Sequence, residues 1–307
     1  MAESIIERKP LGETYGGSAV IEGVMMRGKH RAAIAVRPDL AGEIVIKQES
    51  LSGLYSGPIS RIPFLRGIPM LWDAMGLGTK ALFFSAELMG RQEDPDFKMS
   101  GGMGIATGAF SLLVGVLLFM VVPSLGAGVV IPQGSLLFNG VEGLMRLLVL
   151  TGYVVAISQT AEIRRVFGYH GAEHKTVNAH EAGSPLTVED VRAHSRLHPR
   201  CGTAFLLTVA LISVLVLAPF GKPPIAIRIA TRLVLLPLIS AIAYEVLRFT
   251  ASRKDNRIIR LLIAPNLVMQ RLTTREPDDQ MIEVAIAALK AVISAENEVE
   301  QLEPLVL

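Results

Sequence analysis

From Gly104 to Ile131 the chain carries no charged residue. A bilayer core is crossed by about 20 helical residues, so this stretch, centred on Phe110–Val122, is long enough to span one. Three more apolar runs follow, at about Leu144–Ser158, Thr203–Phe220 and Ile225–Leu247. Lipid offers the backbone no hydrogen-bond partner, which leaves helix as the conformation for each run. Four such runs are hard to hide in a soluble core. Charged residues make up only 19% of the 307 residues, against roughly 25% in soluble domains. The expected fold class is an α-helical multi-span membrane protein with four transmembrane helices. The net charge of +2 gives no general case for nucleic-acid binding, and Cys201, the single cysteine, has no partner for an internal disulfide.

Orientation follows from basic residues near the span ends. The first 102 residues hold twelve Lys and Arg. The 162–202 loop holds Arg164, Arg165, Lys175, Arg192, Arg196 and Arg200, and the tail is similarly basic. Residues 132–140 have none and 221–224 only Lys222. Both termini and the 162–202 loop are therefore expected in the cytoplasm, with the spans in a bacterial inner membrane. No secretory leader is expected, because residues 1–15 are charged and lack an apolar core.

Residues 69–90 are long enough to span as well. Asp73, Lys80 and Glu87, spaced by seven, make a polar stripe opposite Leu71, Met75, Leu82 and Met89. That pattern predicts an amphipathic helix in the membrane interface or packed under a domain, although Phe84 falls in the stripe. Within the spans, Glu142 and Arg146 are four apart, as are Arg228 and Arg232. Pairing between helices is the plainer reading of these charges, and an outward-facing anion site the sharper one.

The rest reads as soluble. Ser18–Met26, Arg31–Val36 and Glu43–Gln48 are short Val- and Ile-rich runs punctuated by Gly16-Gly17, Gly28 and Arg37–Gly42, the last a hairpin connection. Residues 51–68 read as loop. In the tail, Pro277 suits a first helical position and Asp278 and Asp279 suit a helix N-terminus. Ile282, Ala285, Ile286, Leu289, Val292 and Ile293 then recur on one face. The β part or a second copy of the chain would cover that face, so a homo-oligomer stays open. The division expected is a small β-containing N-terminal cytoplasmic domain (1–68), the interfacial helix and linker (69–102), the membrane domain (103–247) and a tail with a C-terminal amphipathic helix (248–307).

Five of the six histidines lie between residues 170 and 198. Their centre is His170-Gly-Ala-Glu173-His174. On a helix, positions 170 and 174 share a face one turn apart, so both imidazoles can reach one metal ion, and Glu173 sits where a carboxylate could accept a proton from metal-bound water. Gly168 and Gly171 weigh against a helix here. His180 and His194 lie among polar residues and read as solvated. His198 and Cys201 are further donors of suitable type. The cofactor expected is a divalent transition metal, most simply zinc. Neither Gly16-Gly17 nor Gly101–Gly104 matches a phosphate-binding loop, and no serine has a nucleophile-elbow context.

Several segments taken together resemble one bacterial family. They are Gly16–Arg27, Leu65-Arg66-Gly67, His170–Lys175, His198-Pro-Arg-Cys-Gly-Thr203, Tyr244-Glu245-x-x-Arg248 and Thr273-Thr-Arg-Glu-Pro-Asp-Asp279. They resemble the YqhQ-type family, whose function is unknown and which is generally described as a metal-dependent membrane enzyme. The resemblance runs from Gly16 to Val292. It implies functional weight for Glu22, Met25, Met26, Arg27, His170, Glu173, His174, Lys175, His198, Arg200, Cys201 and Glu245. In one departure, Pro265-Asn266-Leu267 stands where the family has Pro-Gly-Leu. Asparagine tolerates left-handed backbone, so the turn is expected to survive.

The leading expectation is a metal-dependent hydrolase at the cytoplasmic membrane face. His170 and His174 would hold the metal with His198, Cys201 or Glu22. Glu173 or Glu245 would be general base, and Arg27 or Arg200 would steady an anionic intermediate. Membrane lipids and a membrane-associated substrate or protein partner are the expected partners. A metal transporter or sensor, and a scaffold with a structural metal, are the alternatives. Two nearly all-apolar spans argue against a conducting path.

Overall fold

The structure, a computed structural model, describes residues 15–39, 42–51, 62–131, 137–220, 223–253 and 256–302. The expectations for the first fourteen residues, for the loop over 52–61, for Leu40 and Ala41, and for the connections at 132–136 and 221–222 lie outside these residues. The chain divides into two compact units. One takes in residues 1–52, 165–198 and 274–307; the other takes in 53–164 and 199–273.

The first unit is built on a four-stranded antiparallel sheet in the order β1 (Gly16–Val20), β2 (Gly23–Arg27), β3 (Arg31–Val36) and β4 (Val45–Ser50). The run read as one strand from Ser18 to Met26 is thus two strands. The chain reverses at Ile21-Glu22, where Glu22 adopts φ 51°, and Val20 pairs with Gly23. Glu22-Gly23 is the only polar break between apolar residues on either side, too short a signal to separate two strands by periodicity. A non-glycine residue at positive φ needs outside support. Both Glu22 carboxylate oxygens accept from the Arg165 guanidinium, and Oε2 also accepts from the Tyr169 hydroxyl at 3.2 Å. β3 and β4 pair antiparallel, Val36 facing Val45, and the described residues Arg37–Asp39 and Gly42 fall between them.

β3 is small and apolar, and Ala32 to Val36 are fully buried on both of its faces. Ala33 and Ala35 join Val24 and Met26 in a core with the tail helix α10 (Asp279–Leu302). That helix starts two residues after Pro277, with Asp278 Oδ1 accepting the Met281 N–H at 2.9 Å. Ile282, Ala285, Leu289 and Val292 are fully buried, and the helix packs on β2 and β3, so the sheet of the same chain covers the face the sequence marks as apolar. Near its far end the buried Glu296 takes the backbone N–H groups of His30 and Arg31 at 2.6 and 2.7 Å. A Cβ on Gly28 would lie 2.4 Å from Glu296 Oε1, so the β2–β3 turn closes around this carboxylate only with glycine there.

The second unit is helical. α1 (Gly67–Glu93) covers the 69–90 segment as a helix. Its buried positions are Leu77, Ala81 and Ser85, four apart, while Met75 and Leu82 of the expected apolar face are exposed. It packs on α8 (Ile225–Ala251), and Arg66 Nε and Nη2 meet Glu245 Oε1 and Oε2 at 2.7 and 2.5 Å at the start of that contact. α2 (Gly101–Val116) begins at Ser100, whose Oγ accepts the Met103 N–H at 3.2 Å. It runs through a π-helical turn, Leu117–Val121, into α3 (Val122–Val130). Pro123 has no N–H for the Phe119 carbonyl one turn back, and Arg146 Nε takes that carbonyl at 3.0 Å. Arg146 belongs to α4 (Phe138–Ile157). Asn266 does not form a turn: α9 (Arg257–Thr273) continues through Pro265-Asn266, and the buried Asn266 amide donates to Thr208 Oγ1 at 3.3 Å. Thr208 lies on α7 (Gly202–Leu217).

Among the described residues four helices are long and apolar enough to cross a membrane, over Gly101–Val130, Phe138–Ile157, Gly202–Phe220 and Ala226–Thr250. They coincide with the four apolar runs of the sequence.

Removing the Glu296 carboxylate strands two buried N–H groups, each charge-assisted bond being worth about 2 kcal/mol. Glu296→Ala is expected to lose amide-exchange protection at His30 and Arg31 and along β2–β3. Glu296→Gln, which keeps an acceptor oxygen, should retain most of it. Equal protection in wild type and Glu296→Ala would refute this role.

Candidate metal centre

The histidine segment is helical after all. α5 (Ala161–Glu181) runs straight through Gly168 and Gly171, and its residues 168–177 are buried. The glycines are required by neighbours rather than by a turn. A Cβ on Gly171 would sit 2.0 Å from the Arg275 carbonyl oxygen, and one on Gly168 2.6 Å from Met281 Sδ. Helix propensity is overridden here by close approach of the 274–281 segment.

A second segment, 192–198, is fastened to α5 by side chains of the helix. Lys175 Nζ donates to the Arg192 and His194 carbonyls at 2.8 and 2.9 Å and pairs with Glu276 Oε1 at 2.6 Å. The Asn178 amide donates to the Ser195 and Leu197 carbonyls at 2.7 and 3.1 Å. His174 Nδ1 lies 2.6 Å from the Arg196 carbonyl. Arg196 in turn donates to the Thr274 carbonyl at 2.7 Å, and the Arg275 N–H donates to the Phe167 carbonyl at 2.8 Å. The Thr-Thr-Arg-Glu motif at 273–276 therefore serves to close the site's frame.

Within this frame His170 and His174 stack edge to face with ring centroids 4.4 Å apart. His174 is 1% exposed and Glu173 5%. A carbonyl can only accept, so His174 Nδ1 is the donor, and in the neutral ring Nε2 holds the lone pair. Nε2 is buried with no hydrogen-bond partner among the described residues and lies 3.5 Å from Glu173 Oε2. A lone pair facing a carboxylate oxygen is unfavourable; a cation there, a proton or a metal ion, relieves it. A carbonyl on one ring nitrogen with the other left open is the usual arrangement around a metal-ligating histidine. Within the first unit His170 and His174, both buried one turn apart on α5, could hold a metal ion between them.

The other predicted residues fall elsewhere. His198 is buried with its ring centroid 5.9 Å from that of His174, but its Nε2 faces Glu181 Oε1 at 3.3 Å. Cys201 caps α7, its Sγ accepting the Thr203 N–H at 3.4 Å. Glu22, expected as a metal ligand, has its oxygens engaged by Arg165 and Tyr169 and anchors α5 to the β1–β2 turn. That contact raises the Arg165 pKa, and burial, then the Glu22 charge, raises that of Tyr169, which keeps its hydroxyl a donor. Glu245, expected as an alternative general base, has both oxygens held by Arg66. Arg27 ends β2, half-buried, and Arg200 is exposed just before α7. His180 and His194, read from the sequence as solvated, are half-buried: His180 packs edge to face on Tyr15 and His194 meets Ser184 Oγ at 3.0 Å.

The positioning residue that sequence reasoning missed is Asn178; Lys175 and Glu276 fell within quoted motifs, but their part in holding the 192–198 segment was not foreseen.

Residues 62–295 match the family described as "Protein of unknown function (DUF1385)". Over 300 residues the chain is 37% identical to the uncharacterized protein YqhQ of Bacillus subtilis (strain 168), covering 94% of each chain. No solved structure matches. The chain thus belongs to the DUF1385 family, as its histidine, arginine–cysteine and threonine motifs led one to expect.

Proposed function

We infer that this is an integral membrane protein of the bacterial inner membrane that binds one divalent transition metal, zinc by preference, at its cytoplasmic face, and that it acts as a metal-dependent hydrolase on a membrane-associated substrate. The observation that carries the reading is the orphaned, buried Nε2 of His174, aimed beside Glu173 with Nδ1 locked on a backbone carbonyl. His170 and His174 would hold the metal, with Cys201 as the thiolate expected by residue type. Bound there, the metal would supply Lewis acidity and an activated water. Glu173 would accept the proton, a role supported by its burial 3.5 Å from His174 Nε2.

The cytoplasmic placement rests on the basic 162–202 loop and tail. A second reading, a structural metal in a scaffold, is favoured by the near-complete burial of His174. A closed four-ligand shell would mark that reading, an open position the enzyme.

Elemental mass spectrometry on detergent-purified protein is expected to give about one metal per chain. The folded His170→Ala/His174→Ala variant should lose it and Glu173→Gln should keep it. Metal-free wild type after reconstitution, or equal metal in the double variant, would remove the proposal. Orientation is tested with single cysteines at Ser184 and Ser294 in a Cys201→Ser background. An impermeant maleimide should label them only after cells are permeabilised; labelling in intact cells would reverse the topology.

A further inference from the structure

At the end of the second unit where α3 finishes and α4 and α8 begin, three guanidinium groups, two buried and one half-buried, gather about one carboxylate. Glu142, 1% exposed, pairs with Arg146 at 2.6 Å through Oε1 and with Arg232 through Oε2. Arg228, 8% exposed, has no carboxylate partner among the described residues. It donates to Ser124 Oγ at 2.7 Å and to the Pro223 carbonyl at 3.0 and 3.2 Å, and lies 4.8 Å over the Phe138 ring. Arg232 Nε is buried with no hydrogen-bond partner among the described residues.

Glu142 is the sole acidic residue from 101 to 160, and none occurs from 202 to 244. The spanning segments therefore bring three positive charges to one negative. Arginine does not neutralise itself by losing a proton, and neutral carbonyls and hydroxyls orient a charge without balancing it. Ion pairing explains Arg146 and Arg232 with Glu142 but leaves two charges over. A buried excess of this kind marks a ligand of opposite charge.

Beside it lies a cavity of about 10 Å³ lined by Asn139, Phe220, Thr231, Arg228 and Arg232. That is room for one water or one phosphoryl oxygen. Arg228 lies three residues into α8, which on a rise of about 1.5 Å per residue puts it within the first turn, at headgroup depth for a helix that spans.

We propose that this cluster binds the phosphate of an anionic phospholipid headgroup, one oxygen entering the cavity beside Arg228. Planar guanidinium groups match phosphate oxygens, and a lipid phosphate is the anion present at that depth. The cluster shares no residue with the histidine centre. With the topology above it lies on the extracytoplasmic side, but the binding does not depend on that.

The test uses full-length protein in a neutral detergent, with Tm followed by circular dichroism. Phosphatidylglycerol, phosphatidylcholine or inorganic phosphate is added. Phosphatidylglycerol is expected to raise Tm by about 3 °C or more, phosphatidylcholine by much less. Arg228→Gln should abolish the difference. Thr231→Leu, which keeps every charge and narrows the cavity, should do the same and decides the matter if Arg228→Gln does not fold. A full response to inorganic phosphate alone, lost in the variants, would keep the site and make free phosphate its ligand. An equal response to both lipids, or an undiminished phosphatidylglycerol response in Thr231→Leu, would overturn the proposal.

Discussion

The first unit depends on how the irregular 192–198 segment satisfies its backbone. Carbonyls in a packed loop need partners, and five of them are taken by three side chains of one helix, His174, Lys175 and Asn178. Those residues must face the loop together, which fixes the rotation of α5. With that rotation set, His170 and His174 lie on the buried face, Glu173 is enclosed, and Gly168 and Gly171 meet the 274–281 segment. One set of hydrogen bonds therefore both folds the loop and orders the imidazoles. It also selects the tautomer of His174, since an N–H must point to the Arg196 carbonyl.

The acids divide by partner. Glu22 and Glu245, both half-buried, each face an arginine through both oxygens and act as clamps, one on the β1–β2 turn and one at the start of α1. The buried Glu296 holds a turn through backbone N–H groups. The buried Glu173 instead faces an imidazole nitrogen, that of His174, at 3.5 Å.

The four long apolar helices were legible because their signal is one of composition: apolar runs long enough to cross a bilayer survive any detail of packing. The tail helix was legible for a similar reason, since Ile282, Ala285, Leu289 and Val292 sit at helical spacing and are buried. Local chemistry was harder to read. The reversal at Glu22 depends on a positive φ stabilised by Arg165, 143 residues away. The helical state of Gly168 and Gly171 is likewise decided by Met281 and Arg275. On α1 burial follows Leu77, Ala81 and Ser85 and not Met75 and Leu82, and the close approach to α8 comes at Gly67, where a Cβ would lie 2.9 Å from Ala241 Cα. The histidine pair was visible by spacing, but its second shell was not, because Lys175 and Asn178 act on backbone groups that sequence does not distinguish.

The central claim is that α5 presents two ordered imidazoles to a metal. X-ray absorption at the zinc edge of the purified, metal-loaded protein tests it most directly. The account predicts two nitrogen ligands with imidazole scattering at about 2.0 Å and one sulfur at about 2.3 Å, the imidazole signal falling in His174→Ala. A first shell of oxygen alone, unchanged in His174→Ala, would contradict it.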